Sequence, residues 1–266
     1  MDSYIRPHRN ILNEKMNIQP FIQDKRIVWT MTTSGYKYYT LNLRKWLREV
    51  AQVPWILCII CCDHDSYVFF RREAIPCIFY KDPAVKQKGQ VGLAPFGSNN
   101  FKIWNRIKVD LLRWFCQQPD LEWSLYLDGD IVVQRDPWPE LLSLEGNLFF
   151  QCDCGNGENH TNCGNICSGV IATRHVSPSQ ADLYSFNQAL WKTSLEQDQP
   201  YIAARLEETK TPFVILARPL FGNGHWQQKG AWKEHAWVLL HYNYMSGDTK
   251  KAAMRAAGHW LLIGAS

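Results

Sequence analysis

The sequence predicts an α/β fold with a mainly parallel central sheet flanked by helices, in a single domain with two abutting lobes. In the first half, short apolar segments alternate with amphipathic ones, which is typical of a sheet covered on both faces by crossover helices. The chain has 266 residues, a length that one large α/β domain commonly reaches. No linker-like segment separates the two halves, so we expect them to share one core.

The elements of the first half follow from two kinds of pattern. Segments of β-branched or fully apolar residues that are bounded by turn residues predict strands. These strands cover residues 26–33, 55–62, 75–81 and 124–127. Apolar residues that recur every three or four positions predict amphipathic helices over residues 36–51 and 101–116. Strand and helix in alternation favour parallel strands joined by helical crossovers.

The second half is more mixed but carries the same signals. Apolar, β-rich segments predict strands at residues 147–151, 168–173, 213–217 and 236–243. Residues 179–195, 199–208 and 248–257 are predicted to be helical. In an open α/β sheet, ligands bind beyond the carboxyl ends of the strands, so we look for functional side chains there.

Charge and composition narrow the kind of ligand. The formal net charge is +4, and the basic residues are scattered rather than gathered in a stripe. This distribution suits a small anionic ligand and predicts no nucleic-acid partner. The longest apolar segments fall well short of the roughly 20 residues that span a bilayer, so we predict no membrane span.

The segment Asp128-Gly129-Asp130 directly follows the predicted strand at 124–127. Two carboxylates one residue apart can hold a single hard divalent cation, which in turn binds diphosphate oxygens. Gly129 allows a tight turn and close approach of a ligand. Two acidic residues in a solvated turn are the alternative interpretation, and the spacing alone favours neither.

Other strand ends offer polar groups suited to a nucleotide. The tip of the first strand carries the four candidate binding residues Thr32, Ser34, Gly35 and Tyr36. Asp63 follows the second strand and is a candidate partner for a base or ribose; capping of a helix at 64–72 is the alternative. Lys108, on the predicted helix 101–116, is the candidate to neutralise phosphates or pair with an aspartate.

The nine cysteines include four in one polar loop. Cys152, Cys154, Cys163 and Cys167 surround His160, but their spacing lacks the paired C-x-x-C of zinc ribbons. A zinc site, a disulfide and free thiols are therefore all open for this loop.

Several motifs together resemble a known family. The segment SLYLDGDIVVQRDPWPEL at 124–141 is similar to the core of nucleotide-diphospho-sugar transferases with the GT-A fold. The similarity is greatest to the retaining glycogenin-like and plant xylosyl- and arabinosyltransferase-like groups. Further similar segments follow in the same order at residues 165–170, 198–199, 221–224 and 241–251.

The resemblance implies a GT-A fold and a divalent-cation site, for Mn²⁺ or Mg²⁺, on Asp128, Asp130 and His241. It implies that Asp198 and Gln199 act as catalytic residues beside the anomeric carbon. It also implies that residues of the later motifs contact the nucleotide sugar, with the last of them on the diphosphate: Ser168, Gly169, Asn223, Gly224, Gly247 and Lys251. The implied reaction moves a sugar from a UDP-sugar donor to a glycan or glycoprotein acceptor, with retention of anomeric configuration.

The resemblance also suggests how the chain is divided. We expect an N-terminal arm at 1–24, a nucleotide-sugar-binding half at 25–135, and an acceptor-side and metal-completing half at 136–266. We expect a soluble, cytoplasmic enzyme, or alternatively the catalytic domain of a Golgi enzyme that lacks its anchor. The alternatives for function are a zinc-bearing binding module and a nucleotidylyltransferase, whose Gly-rich phosphate loop is poorly matched by residues 32–35.

Overall fold

A large mixed sheet forms the centre of the molecule. The computed structural model describes residues 16–82, 85, 94–95, 97–155, 164–174, 178–234 and 236–264. The strands are β1 (Arg26–Thr32), β2 (Cys58–Cys61), β3 (Cys77–Phe79), β4 (Trp123–Leu127), β5 (Ile131–Val133), β6 (Leu148–Cys152), β7 (Ile166–Arg174), β8 (Val214–Leu216), β9 (Phe221–Gly222) and β10 (Leu239–His241). Seven of them form the large sheet in the order β3-β2-β1-β4-β7-β6-β8.

Parallel pairing dominates this sheet, as predicted. Strand β1 pairs in parallel with β2 and β4, β2 with β3, and β6 with β8. Strand β7 is the exception, because it runs antiparallel to both β4 and β6. Its insertion places the start of β7 beside the end of β4, so that residues 166–170 lie next to the two aspartates that follow β4.

Helices cover both faces of the sheet. They are α1 (Lys37–Lys45), α2 (His64–Arg72), α3 (Asn99–Cys116), α4 (Trp138–Leu142), α5 (Pro178–Ala181), α6 (Gln188–Thr193), α7 (Asp198–Thr209), α8 (Gly224–Gln228) and α9 (Gly247–Ala256). Successive residues of β1 point to opposite faces, since Ile27 and Trp29 pack in one core cluster and Val28 in another. This two-sided burial explains why the strands read as continuous apolar segments.

Two predicted helices have different limits in the structure. The prediction of one helix over 179–195 is wrong: α5 gives way to a 3₁₀ turn at Asp182–Tyr184, and α6 begins separately. The helix is interrupted because the backbone at Ser185 is extended. A new helix then begins, capped by the side chain of Asn187, which accepts a hydrogen bond from the Leu190 amide. Helix α1 ends at Lys45 and continues as a single π-helical turn at Trp46–Val50.

A small second sheet joins the two halves of the chain. Strand β10 lies between β5, to which it is antiparallel, and β9, to which it is parallel. His241 is in register with Ile131, the residue that directly follows Asp130. The small sheet thus brings a residue near the end of the chain to the aspartates that follow β4.

The described part of the N-terminal arm packs against the domain. Ile18 and Phe21 are buried in the same core cluster as Trp29. Residues 1–15 and most of residues 83–96 lie outside the described residues. Within the described part of the chain, none of the helices combines the length and the hydropathy that a bilayer crossing requires.

Candidate active site

Asp128, Asp130 and His241 converge at the carboxyl end of β4. One potential ligand atom from each lies within 4.8 Å of the others. His241 Nε2 is 3.4 Å from Asp130 Oδ1 and 3.6 Å from Asp128 Oδ2. Asp130 and His241 are buried, and Asp128 is partly exposed. Two carboxylates and one imidazole at this separation form a donor set that suits Mn²⁺ or a similar divalent cation.

Two glycines make room for this cluster. A Cβ atom at Gly169 would lie 2.1 Å from His241 Cε1 and 2.9 Å from Asp128 Oδ2. A Cβ atom at Gly129 would lie 2.9 Å from Thr40 Oγ1. The backbone also holds Asp128 in place, since its amide donates to the Gly169 carbonyl at 2.8 Å. Glycine at 169 therefore allows the three ligands to approach one another.

Two buried lysines balance the negative charge. Lys108 Nζ lies 3.2 Å from Asp128 Oδ1 and 2.8 Å from Asp198 Oδ2, so one ammonium links the first aspartate to the predicted catalytic one. Lys250 Nζ donates to Asp130 Oδ2. Burial lowers the pKa of both lysines, but the neighbouring carboxylates outweigh it and the net shift is upward. Both lysines are thus charged at neutral pH.

Neighbouring charges also shift the pKa values of Asp130 and His241. Burial raises the pKa of Asp130, but the charges of Lys250 and His241 outweigh this effect and hold the pKa well below its usual range. Burial lowers the pKa of His241, but Asp130 and, more weakly, Cys167 raise it to about 10. The imidazole is therefore protonated at neutral pH when no cation is bound. A divalent cation held by the two carboxylates would take the place of the proton on Nε2.

A hydrogen-bond network of amide side chains surrounds Asp153. Gln199 Oε1 accepts a hydrogen bond from the Ser168 amide, and Gln199 Nε2 donates to Asp153 Oδ2 at 2.7 Å. Asn243 Nδ2 donates to the other oxygen of the same carboxylate at 3.1 Å. The Tyr244 hydroxyl donates to the Asp153 carbonyl oxygen. Asp153 therefore fixes the orientation of two amide side chains that line the site.

These groups surround one cavity of about 320 Å³. Eleven of the sequence-predicted site residues line it: Thr32, Tyr36, Lys108, Asp128, Gly129, Asp130, Ser168, Gly169, Asp198, Gln199 and His241. Aromatic side chains of Phe101, Trp104 and Tyr244 form part of its wall. A concave, largely preformed cavity with charged groups at one point is typical of a small-ligand site.

Several predicted residues do not line this cavity, namely Ser34, Gly35, Asp63, Asn223, Gly224, Gly247 and Lys251. Asp63 caps α2 through the Ser66 amide, and its second oxygen accepts from the Ser34 amide, each at 2.7 Å. The capping alternative is thus the role that the structure gives to Asp63. Asn223 likewise caps α8 and donates to the Cys152 carbonyl oxygen at 2.9 Å.

The lysine of α9 that lines the cavity is Lys250, and the predicted Lys251 does not line it. Lys250 lines the cavity, whereas the Lys251 ammonium lies 5.1 Å from the centre of the Trp260 ring. The physical reason is helical phase, because adjacent residues of a helix point about 100° apart. Lys250 and Met254, one turn later, are the buried residues of α9. That i,i+4 relationship with an apolar residue is the signal that identifies the inward lysine.

The cysteines of the polar loop differ among themselves. Cys152 and Cys167 are buried and remain as thiols. Cys154 is disulfide-bonded, and a disulfide sulfur is not a zinc ligand. Cys163 and His160 lie outside the described residues. Among the described residues, the metal-ligand cluster is that of Asp128, Asp130 and His241.

Sequence and fold comparisons agree on one class of protein. A profile of the nucleotide-diphospho-sugar transferase family matches residues 56–254, and the fold is the GT-A fold of glycosyltransferases. This chain belongs to the nucleotide-diphospho-sugar transferase family. Asp128, Asp130 and His241 all fall within the matched segment, as do most of the residues that line the cavity. No curated protein sequence matches the chain.

Three solved structures illustrate the similarity of fold. A glycosyltransferase involved in glycosylation of the major capsid of PBCV-1 shares 13% identity over 87% of this chain and 98% of its own, with a TM-score of 0.51. The galactosyltransferase LgtC, solved with donor and acceptor sugar analogues, shares 11% identity over 90% and 97%, with a TM-score of 0.52. Mouse xyloside xylosyltransferase 1 shares 14% identity over 82% and 97%, with a TM-score of 0.50.

Proposed function

We propose that this glycosyltransferase moves a sugar from a UDP-sugar to a glycan or glycoprotein acceptor, with retention of anomeric configuration and with Mn²⁺ or Mg²⁺ as cofactor. The observation that carries the proposal is the convergence of Asp128, Asp130 and His241 on the wall of one cavity, with ligand atoms within 4.8 Å of one another. When bound there, the cation would act as a Lewis acid on the diphosphate leaving group.

The phosphate end of the donor belongs near Lys250. Its ammonium already lies in the cavity beside Asp130, and Ser246 at the start of α9 also lines the cavity. The first turn of this ten-residue helix presents unpaired backbone amides, which favour an anion. A lysine and a helix start on the same side of the cation site can hold the charge that develops on the leaving UDP.

The sugar end of the donor belongs near Asp198 and Gln199. Lys108 holds the Asp198 carboxylate, and Asp153 holds the Gln199 amide, so both side chains reach the cavity in fixed orientations. Such fixed groups can bind sugar hydroxyls and stabilise the oxocarbenium-like transition state by electrostatics. Residues held by hydrogen-bonded neighbours also lose little entropy when the donor binds.

Retention in a single displacement step requires the acceptor to attack the face from which UDP departs. In the proposed reaction the bond between the anomeric carbon and the β-phosphate oxygen breaks, and the acceptor oxygen bonds to that carbon on the same face. The acceptor hydroxyl proton passes to the departing phosphate oxygen, which becomes more basic as the bond breaks. The leaving phosphate thus accepts the proton of the acceptor hydroxyl, and the reaction needs no separate general base.

The donor class is chosen from the family resemblance and from related folds. LgtC is a galactosyltransferase, and the mouse relative is a xylosyltransferase, so hexoses and pentoses are both candidates. UDP is proposed because the families that the motifs resemble mostly use UDP-sugars. The acceptor class follows from the same resemblance.

The test is UDP release from a panel of UDP-sugars, with Mn²⁺ or with EDTA. Slow hydrolysis of one UDP-sugar that requires the metal and is lost in Asp130→Asn supports the proposal. Asp110→Asn is the matched control, since Asp110 lies on α3 paired with Arg106 and does not line the cavity. No release from any UDP-sugar, together with no Mn²⁺-dependent binding of UDP by calorimetry, contradicts the UDP-sugar assignment. A product of inverted configuration contradicts retention alone.

A further inference from the structure

The buried amide of Gln151 lies directly behind the metal-binding histidine. Gln151 is fully buried near the end of β6, where the pairing with β7 shifts register between Phe150 and Gln151. An irregularity of this kind changes the direction in which the following side chain points. The Gln151 Oε1 atom lies 2.9 Å from His241 Nδ1. This contact places a polar group of the sheet against the ring nitrogen opposite to Nε2.

The chemistry of its neighbours fixes which end of the Gln151 amide faces the histidine. Nε2 donates to the carbonyl oxygens of Gly222 at 2.8 Å and Phe221 at 3.3 Å. Carbonyl oxygens only accept hydrogen bonds, so the NH₂ group must face them. The Oε1 atom is therefore the end that faces His241, and it can only accept.

A hydrogen-bond acceptor at this position determines which nitrogen of the imidazole carries the hydrogen. His241 Nδ1 must carry a hydrogen to donate to Gln151 Oε1, whether the ring is neutral or cationic. The lone pair of the neutral ring is then on Nε2, the atom 3.4 Å and 3.6 Å from the two aspartates. The Cys167 sulfur also lies 3.5 Å from Nδ1, but a sulfur atom is a much weaker partner.

We propose that Gln151 is a positioning residue that presents His241 Nε2 to the divalent cation. The proposal rests on the proposed metal-dependent function and adds to it the group that selects the ligating nitrogen. Hydrogen-bonded partners of metal-bound histidines fix the tautomer and the ring orientation, and their loss commonly weakens metal binding about 10- to 100-fold. Gln151 touches neither donor nor acceptor, so its effect passes through His241.

The experiment measures Mn²⁺ affinity directly, by electron paramagnetic resonance of the free ion, rather than through activity. Gln151→Met keeps the length of the side chain and removes the acceptor. Gln151→Glu keeps an acceptor oxygen for Nδ1. Asn42→Leu is the matched control, because Asn42 is also a fully buried amide that bonds backbone groups, those of His259 and Leu261. Thermal unfolding of each variant establishes that it is folded.

The expected result is a loss of about 10- to 100-fold in Mn²⁺ affinity for Gln151→Met and a change of no more than about threefold for Asn42→Leu. Gln151→Glu, whose second oxygen cannot donate to the Gly222 carbonyl, should lose less affinity than Gln151→Met. Equal affinity of Gln151→Met and the wild type overturns the proposal. An equal loss in Gln151→Met and Asn42→Leu also overturns it, since general destabilisation then explains both. If the wild type itself binds no Mn²⁺, both this proposal and the proposed metal-dependent function fail, whereas the first two results leave the function intact.

Discussion

The ammonium of Lys250 bonds the carboxylate of Asp130 across 120 positions of sequence. Both side chains are almost fully buried, and both line the cavity of the active site. The positive charges of Lys250 and His241 outweigh the effect of burial and hold the pKa of Asp130 well below its usual range. This ion pair links the last helix to the aspartates that follow β4.

Replacement of Lys250 by Met should lower the rate of UDP release by about 100-fold or more. The substitution removes the charge that we place beside the leaving diphosphate, and a single preorganised donor to a developing charge is worth roughly 10²- to 10³-fold. Lys251→Met is the control on the adjacent residue and should stay within about threefold of the wild type. Initial rates at saturating donor measure the effect. Equal losses in the two variants would show that helical phase is not the deciding factor.

Replacement of Gly169 by Ala should abolish metal-dependent activity while the chain still folds. The new Cβ would lie 2.1 Å from His241 Cε1, so the ring must move away from the aspartates. Overpacking of this kind costs about 1–3 kcal/mol of stability. Gly222→Ala is the control, because its Cβ would lie 2.8 Å from the end of the Leu240 side chain and no closer than 3.8 Å to the Arg218 and Leu239 carbonyl oxygens. Mn²⁺ titration by calorimetry decides: wild-type affinity in Gly169→Ala would contradict the prediction.

Replacement of Asp153 by Asn should reduce kcat for UDP release about tenfold with a smaller effect on the donor KM. The Asp153 carboxylate accepts from both Gln199 and Asn243, and an Asn side chain has one acceptor oxygen for the two donors. One of the two amide side chains then loses its hydrogen-bond partner. Gln199, which we place beside the sugar, loses its fixed orientation. Steady-state kinetics over a range of donor concentrations separate the two parameters. A change in KM alone would assign Asp153 to donor binding instead.

The stability of the protein should fall as the pH decreases from about 6.5 to 4, in part because of His259. Burial lowers the pKa of this histidine to about 4, and its Nδ1 lies 2.7 Å from the Tyr242 hydroxyl. Between the two pH values the unfolded chain binds the proton and the folded chain does not, so unfolding becomes more favourable. The contribution of a single group shifted this far is at most about 3 kcal/mol. Above pH 6.5 both states are neutral and the effect disappears.

Chemical denaturation at a series of pH values measures this contribution. His259→Gln should flatten the fall in the free energy of unfolding between pH 6.5 and 4, relative to the wild type. His64→Gln replaces an exposed histidine on α2 and should leave the slope unchanged. Identical slopes in wild type and His259→Gln would remove His259 as a cause of acid sensitivity.

The agreement between sequence and structure is best where the signal is local. The strand before Asp128, the amphipathic helix that carries Lys108, and the two-residue spacing of the aspartates all depend on residues close together in the chain. Position 63 shows the limit of such signals, since a polar residue after a strand is equally suited to cap a helix or to bind a nucleotide. In the structure Asp63 caps α2.

Other parts of the site carried no local signal. Gln151 and Asp153 lie in and just after an apolar strand, and only the packing of β9, β10 and α7 against that strand gives them partners. The choice between Lys250 and Lys251 required the phase of α9, which is visible only weakly through Met254. The antiparallel direction of β7 likewise depends on which strands it inserts between.

The amino-acid sequence by itself determined the α/β class, the order of most strands and helices, and the family-like motifs that contain Asp128, Asp130 and His241. These features arise from short-range periodicity and from residues adjacent in the chain, which constrain local backbone structure directly. Only the tertiary structure decided which lysine enters the cavity, which amide faces His241 Nδ1, and which carboxylate orients Gln199. The reason is that such contacts join residues 46 to 120 positions apart, and their geometry is set by how sheets and helices pack.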